Sequence, residues 1–402
     1  MDDTDNSTNT ILAPHSEMDE VSAPSHALDA PHEPAEEAQT CSTETNNHVD
    51  QPKPYEWILH PTLDLLFVCG GLLWIVFPIH FFLLGGKNDS PFAQWMVVTA
   101  ALGTVMLSQT HIVATLVRLY NDRETREKFS LYSYWAAIAC ATLALAGCIH
   151  PALAGIYCRI YLLIVSQHFT AQAYGFALLY CFKRGYRMSA FDKGVLSSLM
   201  RSTMMFAILR QCTYKEWSGD KFLGQTLPFW GPLPTWLEQV AALCIVVSAV
   251  VFTACLVRNF VSTKKLFPLP SLLLVLTAVI IFVLGPKITG VLWIYVPAFF
   301  HGSQYVIATT AYHLKERGLP EGLPPNQIAS LLQTEETYRY LGFLLIAGLA
   351  LFMGLPQMLA QFGFNLTTAT AVIFTTAQFH HVLTDAAIWK MKDPKLRNLL
   401  VS

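Results

Sequence analysis

Residues 152–182 read ALAGIYCRIYLLIVSQHFTAQAYGFALLYCF and hold a single charged side chain, Arg159. A helix needs about 20 predominantly apolar residues to cross a bilayer. This stretch exceeds that length, and it places a histidine, His168, deep inside an apolar run. Comparable runs recur at 62–84, 91–117, 131–149, 235–257, 270–285, 288–312, 341–360 and 367–389. The chain therefore reads as all-α, a polytopic transmembrane helical bundle.

Composition agrees. The 402 residues are 53% hydrophobic and only 13% charged, where a soluble domain has about a quarter charged. Residues 1–55 hold 12 acidic side chains against one basic residue, Lys53, which leaves 25 basic and 16 acidic residues in the remainder. An acidic, polar segment of this kind cannot bury enough apolar surface to fold alone. It also lacks the basic start and apolar core of a signal peptide. Residues 1–55 are thus expected to be a disordered acidic tail, and 56–402 one membrane domain. The basic residues lie in short loops rather than along one face, which argues against nucleic-acid binding. The nine cysteines form no C-x-x-C pair. Cys69, Cys140, Cys244 and Cys255 lie inside apolar runs and read as small packing residues.

Loop charge sets the orientation. Arg118, Arg123, Arg126 and Lys128 follow the second run, and Lys183, Arg184, Arg187 and Lys193 the fourth. Arg258, Lys264 and Lys265 follow the fifth, Lys315, Arg317 and Arg339 the seventh, and Lys390, Lys392, Lys395 and Arg397 the last. The positive-inside rule makes all five cytoplasmic. Nine spans have the wrong parity for that, so a tenth crossing is needed, and residues 195–211 (VLSSLMRSTMMFAILRQ) are the candidate. An arginine at membrane depth faces a partner or a wet cavity. Arg201 and Arg210 therefore leave a second reading open, an amphipathic helix lying in the interface. The bundle thus has about nine to ten spans, and with the tenth crossing both termini are expected to be cytoplasmic, in a bacterial inner membrane.

Four of the 13 histidines lie in the tail. The other nine are His60, His80, His111, His150, His168, His301, His313, His380 and His381. At about 1.5 Å per residue, His111 lies about 10 Å in from Arg118, His380 about 15 Å from Lys390, His301 about 20 Å from Lys315 and His168 about 22 Å from Lys183. His60 opens the first helix on the same side. His80 and His150 fall at the opposite surface, and His313 at a helix end. Ionisable residues inside spans usually face the bundle interior. His60, His111, His168, His301, His380 and His381 are therefore the candidate metal ligands.

Their neighbours are polar at helical spacing. His60 and Asp64, His168 and Gln172, and His381 and Asp385 are all i,i+4 pairs. His301 is followed by Gln304 and Tyr305, and His111 has Ser108 and Thr115 on its face. Such spacings place both side chains on one stripe. A metal-bound imidazole commonly gives its second N–H to a carboxylate or amide oxygen, a role open to Asp64, Gln172 and Gln304. Tyr305 and Asp385 are the candidate catalytic side chains. An imidazole-rich site without thiolate suits iron, zinc or copper, and iron is the choice if oxygen is used. The alternative is a buried hydrogen-bond network serving as a proton path.

Four segments resemble the Brp/Blh-like membrane β-carotene 15,15′-dioxygenases. His60-Pro-Thr-Leu-Asp64 is similar to their H-x-x-L-D element, and Gln167-His168-Phe169-Thr170-Ala171 to their H-F-G segment. Phe299-Phe300-His301-Gly302-Ser303 is similar to their I-H-S element, and the run from His380 to Lys390 (HHVLTDAAIWK) to their closing helix. The order along the chain is the same. The resemblance implies an integral membrane enzyme that uses non-haem Fe2+ and molecular oxygen to cleave a carotenoid to a retinal-type product. His60, His168 and His301 would fall on iron-ligand positions. The family's fourth ligand stands four residues after the third, where this chain has Tyr305, so His111 or His380 completes the sphere or the chemistry differs.

The leading functional expectation is a membrane-embedded non-haem iron oxygenase whose lipophilic substrate arrives from the bilayer. Trp293, Tyr295, Phe299, Phe300 and Tyr305 either line its tunnel or are ordinary packing. Two other classes stay open: a haem-binding or redox membrane protein with histidine axial ligands, and a proton-coupled transporter using the histidines and Asp385 as a relay.

Overall fold

A computed structural model describes residues 55–79, 82, 90–284, 295–318, 325–390 and 393–401. The acidic tail up to residue 54, His80 and Trp293 lie outside the described residues. The chain from Pro52 onward forms one unit, and it is almost entirely helical. Five helices are long and apolar enough to cross a membrane, six if the bent pair that begins the bundle is one span.

That pair is α1 (Pro61–Val68) and α2 (Gly71–Pro78), which meet at 61°. The bend sits at Gly70, whose φ of +76° lies in the left-handed region that favours glycine. A Cβ there would also come within 2.5 Å of Thr277. Thr277 closes the break, since its hydroxyl donates to the Cys69 carbonyl at 3.1 Å and accepts from the Trp74 indole at 2.9 Å. The helices that follow are α3 (Gln94–Tyr120), α4 (Leu131–Ile149), α5 (Ala152–Lys183), α6 (Ala190–Thr213) and α7 (Thr235–Thr263). Then come α8 (Leu269–Val283), α9 (Tyr295–Glu316), α10 (Glu335–Gln361), α11 (Leu366–Ile388) and the short terminal α12 (Pro394–Val401).

The helix α6 contains the ambiguous 195–211 stretch. It begins with a reciprocal cap, in which the Ser189 hydroxyl accepts from the Asp192 amide and the Asp192 carboxylate accepts from the Ser189 amide. It then runs antiparallel along α7. Asp192 meets Arg258 at 2.6 Å, Ser198 meets Ser248 at 3.2 Å, and Arg210 meets Glu238 at 2.8 Å. From the first of these contacts to the last, 18 residues forward on α6 are matched by 20 residues back on α7, so the two helices pack antiparallel over most of their length. Arg210 also donates to the Val283 carbonyl at 3.1 Å, whereas Arg201 is exposed.

Polar contacts gather the basic loops at one end of the bundle. Lys128 pairs with Asp393 at 2.6 Å, Lys395 with Glu316 at 2.8 Å, and Arg184 with Glu56 at 3.3 Å. Lys183 donates to the Leu400 carbonyl at 3.0 Å, which ties α12 under α5. His313, at the end of α9, meets Glu336 at 2.9 Å and stacks on Tyr340. As a consequence α3, α5, α9 and α11 all run toward this end and are mutually parallel.

At the other end a loop with a two-stranded hairpin, Lys221–Phe222 against Gln225–Thr226, folds onto α5. Arg159, the one charge in the apolar run, is buried and holds it there. Its guanidinium donates to the Pro228 carbonyl at 2.8 Å, the Ser218 carbonyl at 2.9 Å and the Ser218 hydroxyl at 2.5 Å. Only a planar fork of five N–H donors reaches all of these at once. We expect Arg159→Ala to destabilise the purified protein by about 2–3 kcal/mol, with only partial rescue by Arg159→Lys. An unchanged thermal unfolding midpoint in both variants would contradict this role.

Candidate metal centre

The four parallel helices share a pattern, a histidine followed four residues later by a polar side chain. The pairs are His111 and Thr115 on α3, His168 and Gln172 on α5, His301 and Tyr305 on α9, and His381 and Asp385 on α11. Four residues is about one helical turn, close to 6 Å. Because the helices run the same way, the pairs stack as two layers, imidazoles above and hydroxyl, amide and carboxylate groups one turn closer to the basic end.

Two backbone features bring the imidazoles together. The turn of α3 at Thr104–Ser108, just before His111, is widened to an i to i+5 pattern. Gly302 of α9 packs directly on it, and a Cβ at Gly302 would lie 2.8 Å from both the Leu107 carbonyl carbon and the Ser108 nitrogen. Glycine thus lets α9 reach the backbone of α3, and its neighbour His301 lies 4.9 Å from His111 between ring centroids.

All four histidines are buried. The Nε2 atom of His381 lies 3.1 Å from Nε2 of His111 and 3.0 Å from Nε2 of His168. The His301 ring lies 4.6 Å from the His168 ring and is stacked on Phe169 at 4.2 Å. A neutral ring nitrogen offers either one hydrogen or one lone pair, so His381 Nε2 can complete at most one of its two close contacts. Both nitrogens of His301 are buried with no hydrogen-bond partner among the described residues, a cost of about 1–3 kcal/mol for each such atom. These orphaned, converging donors fit a cation. Two nitrogens bound about 2.1 Å from one ion at right angles stand about 3.0 Å apart, which matches the observed spacing. The ligating atoms of His111, His301 and His381 lie within 4.8 Å of one another, as do those of His168, His381 and Asp385.

The second layer fixes the first. His381 Nδ1 lies 2.8 Å from the Thr115 hydroxyl, which donates to Asp385 at 3.0 Å. Tyr305 donates to the same carboxylate oxygen at 2.8 Å and accepts from the Trp389 indole at 2.8 Å. With its Nδ1–H given to Thr115, His381 keeps the Nε2 lone pair for the centre. The other Asp385 oxygen faces the imidazoles, 3.5 Å from His381 Nε2 and 4.0 Å from His168 Nε2. Gln172 donates to the His301 carbonyl at 3.1 Å and to Gln304 at 2.8 Å, and Gln304 donates to the Val68 carbonyl at 2.9 Å. The Arg118 guanidinium stacks over Trp389 at 3.8 Å.

Several sequence expectations need correction. His60 is exposed, and its Nδ1 accepts from the Thr62 amide at 3.3 Å, so it starts α1 instead of joining the cluster. Asp64 does not orient it as a ligand. Its carboxylate accepts from the Ile58, Leu59 and His60 amides and from the Tyr180 hydroxyl, which pins the segment leading into α1. His380 turns away, with Nε2 3.0 Å from the Tyr132 carbonyl, because consecutive helical residues point about 100° apart. The Tyr305 hydroxyl donates to Asp385, accepts from Trp389 and lies against the Thr115 oxygen, and the fourth imidazole comes from another helix, as His381 on α11. Sequence reasoning did not single out Trp389, Phe169 or Gly302. Trp389 had a signal, since it continues the four-residue pitch of His381 and Asp385. No protein-family model, curated protein or solved structure matches the chain.

Thr115→Val keeps the shape of the side chain and removes the hydroxyl that joins His381 to Asp385. Metal affinity should fall about 10–100-fold, the range seen when a ligand's outer partner is lost. Chelator competition on the two proteins measures this, and equal affinities would show that Thr115 does not orient His381.

Proposed function

We propose that the chain is a multi-pass membrane oxygenase, with a non-haem iron held by His111, His168, His301 and His381, acting on a lipophilic substrate. The observation that carries this reading is the convergence of four buried imidazoles, from four parallel helices, into two overlapping groups of possible ligands that share His381, with the nitrogens of His301 unpaired among the described residues. The resemblance to the membrane β-carotene dioxygenases supplies the finer proposal, oxidative cleavage of a carotenoid to a retinal-type product.

The topology proposed with it has ten crossings, α1 with α2 counting as one, and both termini on the cytoplasmic side of a bacterial inner membrane. The register between α6 and α7 supports counting α6 as a crossing, because α7 is among the longest and most apolar helices. The gathered basic loops support the orientation.

Iron bound there would supply redox activation of molecular oxygen at positions the protein leaves open. The protein's own contributions follow from the contacts. The four imidazoles would hold the ion, and Thr115 sets the tautomer of His381. Asp385, with one oxygen bound by Tyr305 and Thr115 and the other facing the imidazoles, is placed to accept or return a proton at Oδ2. The buried, apolar setting keeps water away from reactive species.

The 3.0 and 3.1 Å contacts of His381 Nε2 with His168 and His111 leave no space for a haem between those rings. A proton-coupled transporter is the second reading, favoured by the continuous hydrogen-bond chain from His381 through Thr115 and Asp385 to Tyr305.

Metal analysis separates the readings. The purified protein should carry about one iron per chain and show no Soret band. His111→Ala, His168→Ala, His301→Ala and His381→Ala should each lose it, while His60→Ala and His380→Ala keep it. Metal-free protein of normal stability would turn the assignment toward transport, and retention of iron in the first four variants would overturn the ligand set.

A further inference from the structure

An apolar cavity of about 410 Å³ runs along the flank of the bundle and ends on His168 and Asp385. Phe176 and Leu179 of α5 form one wall, and Val382, Leu383 and Ala386 of α11 the other. Asp385, at the inner end, is the only charged side chain in its lining. The basic end is closed by Leu400 of α12, and three contacts pin that helix as a floor: Lys183 to the Leu400 carbonyl, Lys128 to Asp393, and Lys395 to Glu316. Toward the outside the cavity is open. Leu383 is half exposed, Ala386 and Gly175 are exposed, and a Cβ at Gly175 would meet nothing within 4 Å.

We propose that this cavity is a lateral binding site for one long, uncharged hydrocarbon chain taken directly from the bilayer, with Gly175 and Ala386 as its threshold. The opening lies between α5, a helix long and apolar enough to span, and α11, so the molecules that meet it are lipid chains. The lining offers a charged headgroup no partner cation, so the part of the ligand that enters is apolar. A helix, about 10 Å across with its side chains, is too wide for a slot that ends on single side chains of α5 and α11. Trp389, Tyr305 and Ala308 also line it, and the bound chain would pass within reach of Asp385 and His168. A second apolar cavity of about 290 Å³, beside Phe299 and Phe300, touches none of the four histidines. The chemistry done on the chain rests on the oxygenase reading, but its binding does not.

The test uses the full-length protein in phosphatidylcholine vesicles containing a mid-chain diazirine fatty acid, with adducts mapped by peptide mass spectrometry after photolysis. The wild type should be labelled at Leu179 and Leu400, which are buried, as well as at lipid-facing Leu243 and Val246 of α7, which serve as the boundary control. Gly175→Trp and Ala386→Trp, each filling the threshold, should lower inner-wall labelling about tenfold relative to the α7 control, with metal content unchanged. No inner-wall labelling in the wild type, or the same labelling in both variants while the α7 control is intact, overturns the proposal. Inner-wall labelling that is blocked by both variants in a protein with no metal would uphold the cavity and sink the oxygenase reading instead.

Discussion

Four imidazoles converging inside an apolar bundle are the constraint on which the rest of the structure depends. Buried polar groups must be paired or held by a cation, and neutral rings at 3.0 and 3.1 Å cannot all satisfy one another. The surrounding residues are arranged for that requirement. Phe169 stacks on His301, Gly302 admits the close approach of α9 to α3, and Thr115 takes the far nitrogen of His381. Other helices pack outside these four, α7 against α6, and the arginine clamps of Arg159 on α5 and Arg210 on α6 fix where loops and neighbours sit.

The two-layer arrangement follows from chain direction. Helices that alternate in direction place a ligand and its i+4 neighbour on opposite sides of the site. Here all four histidine helices run toward the basic end, so every i+4 side chain lies on the basic side. One layer can then bind an ion while the next orients the ligands and handles a proton. Asp385 belongs to both, because one oxygen is held by Tyr305 and Thr115 and the other faces the imidazoles.

Much of this was legible in the sequence, and the failures have physical causes. Apolar runs located the helices, because a bilayer demands length and apolarity and little else. The stretch at 195–211 was ambiguous, since arginines lower its apolarity, and the polar register along α7 that accommodates Arg210 is a tertiary fact. Depth counting put His111, His168 and His301 in the same part of the bundle, and the structure brings their rings together. It could not separate His380 from His381, because both lie at the same depth and only the rotation of α11 distinguishes them. His60 and Asp64 carried the same i,i+4 signature as His381 and Asp385. At the start of a helix, however, free backbone amides compete for the carboxylate, and there Asp64 is consumed by Ile58, Leu59 and His60. The close approach at Gly302 is invisible in any single segment, because it depends on which helix lies opposite.

The most direct test is X-ray absorption at the iron edge on the purified protein. Nitrogen scattering is expected at about 2.0–2.2 Å, with the more distant scattering pattern of four imidazoles, reduced by one in His381→Ala. An iron environment dominated by oxygen or sulfur, or an imidazole count that stays the same in His381→Ala, would contradict it.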